Sequence, residues 1–362
     1  MNKAGLTQKE ELMLYGLVRF PQATDKEFSE KLNLKHSTVT AIRNRLFDNA
    51  YYRPLCIPRL QNMGAQMLVS IYTNFNPLIP LKDRINITGK TIEVFEEIFL
   101  SVGERDKGFS MSLSKDYATI GRINDIRTQT FGGRGLLEEE YPTMVVFPFD
   151  ISKLYRFFDY SPLLQTYFKL PFKENLVIKD LAYRETQNIS LNETEKNVFC
   201  MIVSYPKMSD NAIGREIGVS RHTVSKCRRK FIKKNLIRWV SLPNLQKLGF
   251  EILGFYHMRF DPRNPPNFDT NEAAALMSSS TIFFVSRMYE AVMISVYQDY
   301  DDYKKDMGMI IQQLKANHWI AEDPIINTFG LNTLSLIKDF KFSPITHKIV
   351  GCDLWIKKLL NM

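Results

Sequence analysis

Residues 6–77 and 191–262 are one stretch written twice. With Leu6 set on Leu191, a constant offset of 185 holds without a gap to Pro77 and Pro262. Identities recur along it, among them Glu10/Glu195, Pro21/Pro206, Asp25/Asp210, Thr38/Thr223, Val39/Val224, Arg43/Arg228, Arg53/Arg238, Pro58/Pro243, Leu60/Leu245 and Gly64/Gly249. Apolar character is kept where letters differ, as in Leu17/Ile202, Phe28/Ile213, Leu32/Ile217 and Leu46/Phe231. Solenoid repeats run about 20–50 residues. A period this long implies a duplicated set of domains, so any fold must be one that the chain can build twice.

The second copy is the clearer. Val198, Met201, Ile202 and Tyr205 have helical spacing over Leu191–Tyr205, with Asn192 available as cap and Pro206 as stop. Ser209 caps a short helix, Asp210–Ile217, and Gly218 follows where a left-handed residue is commonly needed. Ser220 then caps Arg221 to about Lys234. Val224, Phe231 and either Cys227 or Arg228 face inward, which leaves Arg221, His222, Ser225, Lys226, Arg229, Lys230 and Lys233 outward. Two helices around a tight turn, the second one basic, is the pattern that lays a recognition helix in a DNA major groove. From Tyr205 to Trp239, ten Lys/Arg stand against Asp210 and Glu216, a net +8 in a chain of net +9. Leu236–Val240 alternates as a wing strand, carrying Arg238.

The first copy repeats the plan over Thr7–Phe20, Asp25–Leu32 and Ser37–Phe47, with a wing near Arg53. It has Asn33 for Gly218 and Lys35 for Ser220. Its net charge over Pro21–Ile57 is only +2, six Lys/Arg against four Asp/Glu. His36, Ser37, Thr40, Asn44 and Arg45 are its expected DNA-facing residues, able to read base edges. Counterion release scales with phosphates neutralised, so the second copy is expected to bind DNA more strongly.

After each wing the pattern turns to βαββαβ, a ferredoxin-like unit. In the first half it runs from Gln66 to Phe147, in the second from Glu251 to Phe329. With "IGREIGVSRHTVSKCRRKF" (Ile213–Phe231) and "LPNLQKLG" (Leu242–Gly249) leading into it, the chain resembles the Lrp/AsnC transcriptional regulators. The resemblance implies an α+β chain of two winged helix-turn-helix domains, each followed by a ferredoxin-like domain. The expected domains are 1–62 and 190–247 (winged helices), 63–150 and 248–332 (ferredoxin-like), 151–189 (helical linker) and 333–362 (C-terminal tail). In that family the turn between the middle strands carries a Gly-x-x-Asp pattern. Gly103 and Asp106 match it, whereas the second half has Tyr289 and Glu290 there. These four are the positions where a small-molecule effector is expected. The aromatic tails echo each other (Phe157–Pro162 and Asp339–Pro344) and suggest packing or a homodimer.

Four scattered cysteines form no C-x-x-C pair, and the five histidines have no metal spacing. No metal, cofactor or catalytic residue is therefore expected, and a reducing cytoplasm suits free thiols. No run of about 18 apolar residues calls for a membrane. The expectation is a DNA-binding regulator acting on double-stranded DNA, not an enzyme. Two alternatives stand beside it. One is an architectural DNA-coating protein. The other is an enzyme like the siroheme decarboxylases, which resemble this architecture and would need His, Arg and Tyr clustered in the ferredoxin-like units.

Overall fold

The computed structural model describes residues 5–138, 141–171, 189–268 and 270–352. The remainder of the expected linker (172–188) and C-terminal tail (353–362) lies outside the described residues. The structure is mixed α+β with antiparallel sheets. In chain order the first half has α1 (Gln8–Arg19), α2 (Asp25–Leu32), α3 (His36–Asp48), β1 (Tyr52–Pro58), β2 (Met67–Asn74), α4 (Leu81–Glu93), β3 (Ile98–Gly103), β4 (Lys107–Ser114), α5 (Tyr117–Gly133), β5 (Thr143–Pro148), β6 (Lys153–Phe157) and α6 (Ser161–Tyr167). The second has α7 (Glu193–Ser204), α8 (Asp210–Ile217), α9 (Arg221–Lys233), β7 (Ile237–Pro243), β8 (Ile252–Arg259), α10 (Thr270–Leu276), β9 (Thr281–Arg287), β10 (Glu290–Tyr297), α11 (Tyr300–Ala316), β11 (Ile325–Gly330), β12 (Ser335–Lys338) and α12 (Ser343–Val350).

Local chemistry sets the helix boundaries. Asn192 Oδ1 accepts from the Glu195 amide at 2.9 Å, and Glu195 reaches back to the Asn192 amide, a reciprocal cap. Ser220 Oγ accepts from the Thr223 amide at 3.1 Å, while Lys35 makes no such bond. Gly218 and Asn33 both take the left-handed conformation, at φ 72° and 50°. The α8–α9 turn is so tight that a Cβ on Gly214 would sit 2.6 Å from the Val219 carbonyl. In the first copy Ser29 holds that place and donates its hydroxyl to the Leu34 carbonyl at 2.5 Å. Val198, Phe199, Ile213, Val224 and Phe231 form the buried centre of the second triad. Leu14, Phe28, Val39 and Leu46 form that of the first.

The chain divides into two compact units that do not follow its halves. One comprises Met1–Pro54, Ile151–Tyr183 and Val240–Thr333. Here α1–α3 belong with the sheet β11-β8-β10-β9-β6. The Asn244 amide donates to the Tyr51 carbonyl at 2.8 Å, and α6 packs on α1. The other unit comprises Leu55–Asp150, Arg184–Trp239 and Leu334–Met362, and joins α7–α9 to the sheet β12-β3-β4-β2-β5. There the Arg59 amide donates to the Leu236 carbonyl at 2.8 Å, and α12 packs on α7. Leaving out one edge strand, β6 in the first sheet and β12 in the second, each sheet has the ferredoxin-like order of its own half. The added edge strand comes from the tail of the other half, β6 on β9 and β12 on β3. The apolar tails are thus absorbed by an unpaired sheet edge, which removes an aggregation liability. β1 and β7 pair with each other as a two-stranded sheet.

Candidate functional site

The third helix of each triad was the expected DNA face. On α9, Arg221, His222, Lys226, Arg229 and Lys233 are exposed and Ser225 is half-buried. Lys230 is bound to Glu195 of α7 and Arg228 to Asp210 of α8, the latter at 2.8 Å. On α3, His36, Ser37, Asn44 and Arg45 are exposed. Arg45 pairs with Glu10 at 2.7 Å, Arg43 with Asp25 at 2.7 Å, and the Thr40 hydroxyl donates to Asp25 at 2.5 Å. At the repeat offset these are the same two ion pairs, Glu10–Arg45 with Glu195–Lys230 and Asp25–Arg43 with Asp210–Arg228. The repeat identities at Glu10, Asp25 and Arg43 therefore mark helix-to-helix ties. Lys230 and Arg45 spend their charge within their triads. Arg53 and Arg238 are half-buried on β1 and β7.

Two of the four expected effector positions lie at the β3–β4 turn. The Glu104 amide donates to the Lys107 carbonyl, closing the turn, and Asp106 is exposed. Gly103 lies against α4, where an added Cβ would meet Arg84 Nη1 at 3.1 Å. The other two positions lie at the β9–β10 turn. Tyr289 is exposed there, while Glu290 closes the turn by accepting from Arg287 Nε at 3.1 Å. His257, fully buried on β8, brings Nε2 to 3.8 Å from Glu290 Oε1. His257 and Arg287 hold the Glu290 carboxyl down to about 2. A His–Glu–Arg cluster thus forms at one end of β8 and β10.

The second chemical feature is one that sequence reasoning missed. Arg84 of α4 and Arg127 of α5 are buried between those helices and their sheet. Arg84 donates to the Glu104 carbonyl and lies 4.5 Å from the Phe75 ring centroid. Arg127 donates to Ser110 Oγ at 2.9 Å and lies 5.8 Å from that of Phe131. Phe75 and Phe131 meet edge to face, so both guanidiniums belong to one aromatic cluster. Neither has a salt bridge to a carboxylate among the described residues, and Arg84 Nε and Nη1 and Arg127 Nε have no hydrogen-bond partner there. Burial pushes Arg127 down to about 10 and lowers Arg84, which the Asp106 charge partly offsets. Buried cations without a counter-charge are costly. The signal was present in the helix register: Ile120, Ile123, Arg127 and Phe131 lie on one inward face of α5.

No protein-family model matches the chain, and no curated protein matches it. Among solved structures, it is similar to the siroheme decarboxylase NirDL, with a TM-score of 0.50 and 9% identity over 95% of this chain and 98% of that one. It is also similar to NirDL in co-complex with an iron-uroporphyrin III analogue, with a TM-score of 0.53 and 8% identity over 98% and 99%. An AsnC-family transcriptional regulatory protein from Pyrococcus furiosus matches in part, with a TM-score of 0.31 and 16% identity over 40% of this chain and 88% of that one. At these identities the likenesses concern the fold. The expectation that the chain is not an enzyme is corrected: two solved structures that match it end to end are those of an enzyme. Triads with retained basic third helices had suggested a regulator, but a fold does not fix function. Among the described residues no helix is long and apolar enough to cross a membrane.

Proposed function

We propose that this chain is an enzyme of the siroheme-decarboxylase type, acting on a polycarboxylated tetrapyrrole. We read its architecture as two winged helix-turn-helix segments and two ferredoxin-like units in tandem. The observation that carries the proposal is the end-to-end likeness to NirDL, one structure of which holds an iron-uroporphyrin III analogue. The chain's own chemistry supports it. Decarboxylation breaks a carbon–carbon bond, releases CO2 and leaves the bonding pair on carbon, which then takes a proton. Such a reaction needs cations for carboxylates and a positioned proton donor. Arg84 and Arg127 are cations with unused donors. His257 Nε2 stands 3.8 Å from Glu290 Oε1, so an imidazole and a carboxylate share that end of the sheet. Arg287 is clamped to that same Glu290 and fixes its carboxylate at the cluster. Arg84 and Arg127 lie in one compact unit and the His257–Glu290–Arg287 cluster in the other, so each is proposed as a feature of its own unit, and the chain's net +9 favours the approach of an acidic substrate.

The test is titration of the full chain with iron-uroporphyrin III, followed by the Soret band. Binding should be saturable, and Arg84→Met should weaken it at least tenfold. His257→Ala should lower CO2 release from a reactive substrate. No Soret change at any ratio would reject the reading.

A second reading rests on α9, where Arg221, His222, Lys226, Arg229 and Lys233 are exposed on one helix. On it the chain contacts double-stranded DNA through α9, with α3 contributing Ser37 and Asn44, as a homodimer with an effector near Gly103 and Asp106. Saturable, salt-dependent binding to genomic fragments, with no tetrapyrrole response, would favour it over the enzyme.

A further inference from the structure

The helix α7 presents Asn197, Cys200 and Ser204 at i, i+3 and i+7, and so on one face. The tail helix α12 packs against α7 and presents Ser343 and His347 at i and i+4. Gly351 then takes the left-handed conformation at φ 71°, and the Gly351 and Cys352 amides both donate to the His347 carbonyl, at 2.9 and 3.3 Å. This helix-ending turn folds Cys352 back to the level of His347. Ligand atoms of Cys200, His347 and Cys352 consequently lie within 4.8 Å of one another, with both cysteines buried.

We infer that Cys200, His347 and Cys352 form a zinc site that ties the C-terminal tail to α7. Two thiolates and an imidazole make a donor set for zinc, with bonds of ~2.3 Å to sulfur and ~2.0 Å to nitrogen. Such bonds put tetrahedral ligand atoms about 3.5–3.8 Å apart, somewhat tighter than the 4.8 Å within which the three ligand atoms now lie. The surroundings match a metal-ligating histidine, whose second nitrogen is normally oriented by a hydrogen bond. Ser204 Oγ lies 3.3 Å from His347 Nε2 and 2.6 Å from Ser343 Oγ, which leaves Nδ1 as the ligating atom. The fourth position falls to water or to Asn197 Oδ1, which accepts from Cys352 Sγ at 3.2 Å. A simple disulfide between the cysteines would give this oriented imidazole no role. Zinc bound by two thiolates would displace the thiol protons of Cys200 and Cys352. The ligands come from positions 200, 347 and 352, so the ion closes a long loop and should stabilise the unit.

The test uses the full chain purified under reducing conditions. Metal analysis should find zinc in a one-to-one ratio after desalting. Cobalt substitution should give thiolate-to-metal charge-transfer absorption and strong tetrahedral d–d bands. A chelator should lower the Tm of the wild type. Both the cobalt spectrum and the chelator effect should vanish in the Cys200→Ser, Cys352→Ser double variant and weaken in His347→Gln. If the variants fail to fold, the wild-type cobalt spectrum still decides. Wild-type protein without metal or cobalt absorption after zinc or cobalt dialysis would overturn the inference. So would an intact mass showing Cys200 and Cys352 joined as a disulfide under the same conditions.

Discussion

Replacing Arg127 with methionine should separate a binding cation from a structural one. Arg127 is 2% exposed, and burial pushes its guanidinium from 12.5 down to about 10. At ~1.4 kcal/mol per pH unit, that displacement corresponds to roughly 3 kcal/mol against the charged form. A charge-assisted hydrogen bond to Ser110 returns about 1.5–3 kcal/mol. The weak cation–π contact with Phe131 adds about 0.5–1 kcal/mol. The two sides nearly cancel, so the guanidinium contributes little net stability. Methionine fills a similar space without the charge, and such replacements of buried ions are often neutral or stabilising. Arg127→Met should therefore change unfolding stability by no more than about 1 kcal/mol in either direction, a Tm shift of about 2–4 °C. Its affinity for iron-uroporphyrin III should fall at least tenfold. Urea unfolding and Soret titration on one preparation give both numbers. A variant that loses more than about 3 kcal/mol yet binds the tetrapyrrole as wild type does would show that the arginine only holds α5 to β4.

Three further outcomes are expected. Asp25→Ala and Asp210→Ala should each cost about 1–2 kcal/mol, because each strands a half-buried arginine of the same repeated tie. Hydrogen exchange in α3 and α9 should show matching losses, and a loss in one copy alone would contradict the shared role. Lys338 is buried on β12, donates to the Phe95 carbonyl at 2.6 Å, and is pushed down by burial to about 8. The unfolded chain therefore holds this proton to higher pH than the folded one, so stability gained relative to Lys338→Met should rise between about pH 8 and 10.5, readable by Tm against pH. Under the DNA reading, the Arg221→Ala, Lys226→Ala double variant should bind duplex DNA more weakly with a shallower salt slope, whereas an unchanged slope would exclude α9 from phosphate contact.

Local signals in the sequence carried the elements well. Caps at Asn192, Ser209 and Ser220, the left-handed Gly218 and the alternating strands put most boundaries within a few residues of those observed. What they could not carry was long-range exchange. Nothing local in Leu154 or Leu336 says that its strand joins the other half's sheet, since an edge strand is chosen by the neighbour that lacks one. The site was legible in part. Outward residues on α9 follow from helical period, but the pairing of Lys230 with Glu195 needs the third dimension. His257 and Glu290 are 33 positions apart and meet only across the pairing of β8 with β10, so no local pattern joins them. The Cys200–His347–Cys352 cluster has no local spacing for the same reason: its members meet only through the packing of α12 on α7.

Turnover separates a decarboxylase from a DNA-binding protein most sharply. The full chain would be incubated anaerobically with siroheme and the tetrapyrrole products analysed by mass spectrometry alongside released CO2. The expected products have lost carboxyl groups as CO2, in step with the gas released and in smaller amount with His257→Ala. Unchanged siroheme with a properly folded protein, together with tight binding to duplex DNA, would contradict the decarboxylase reading.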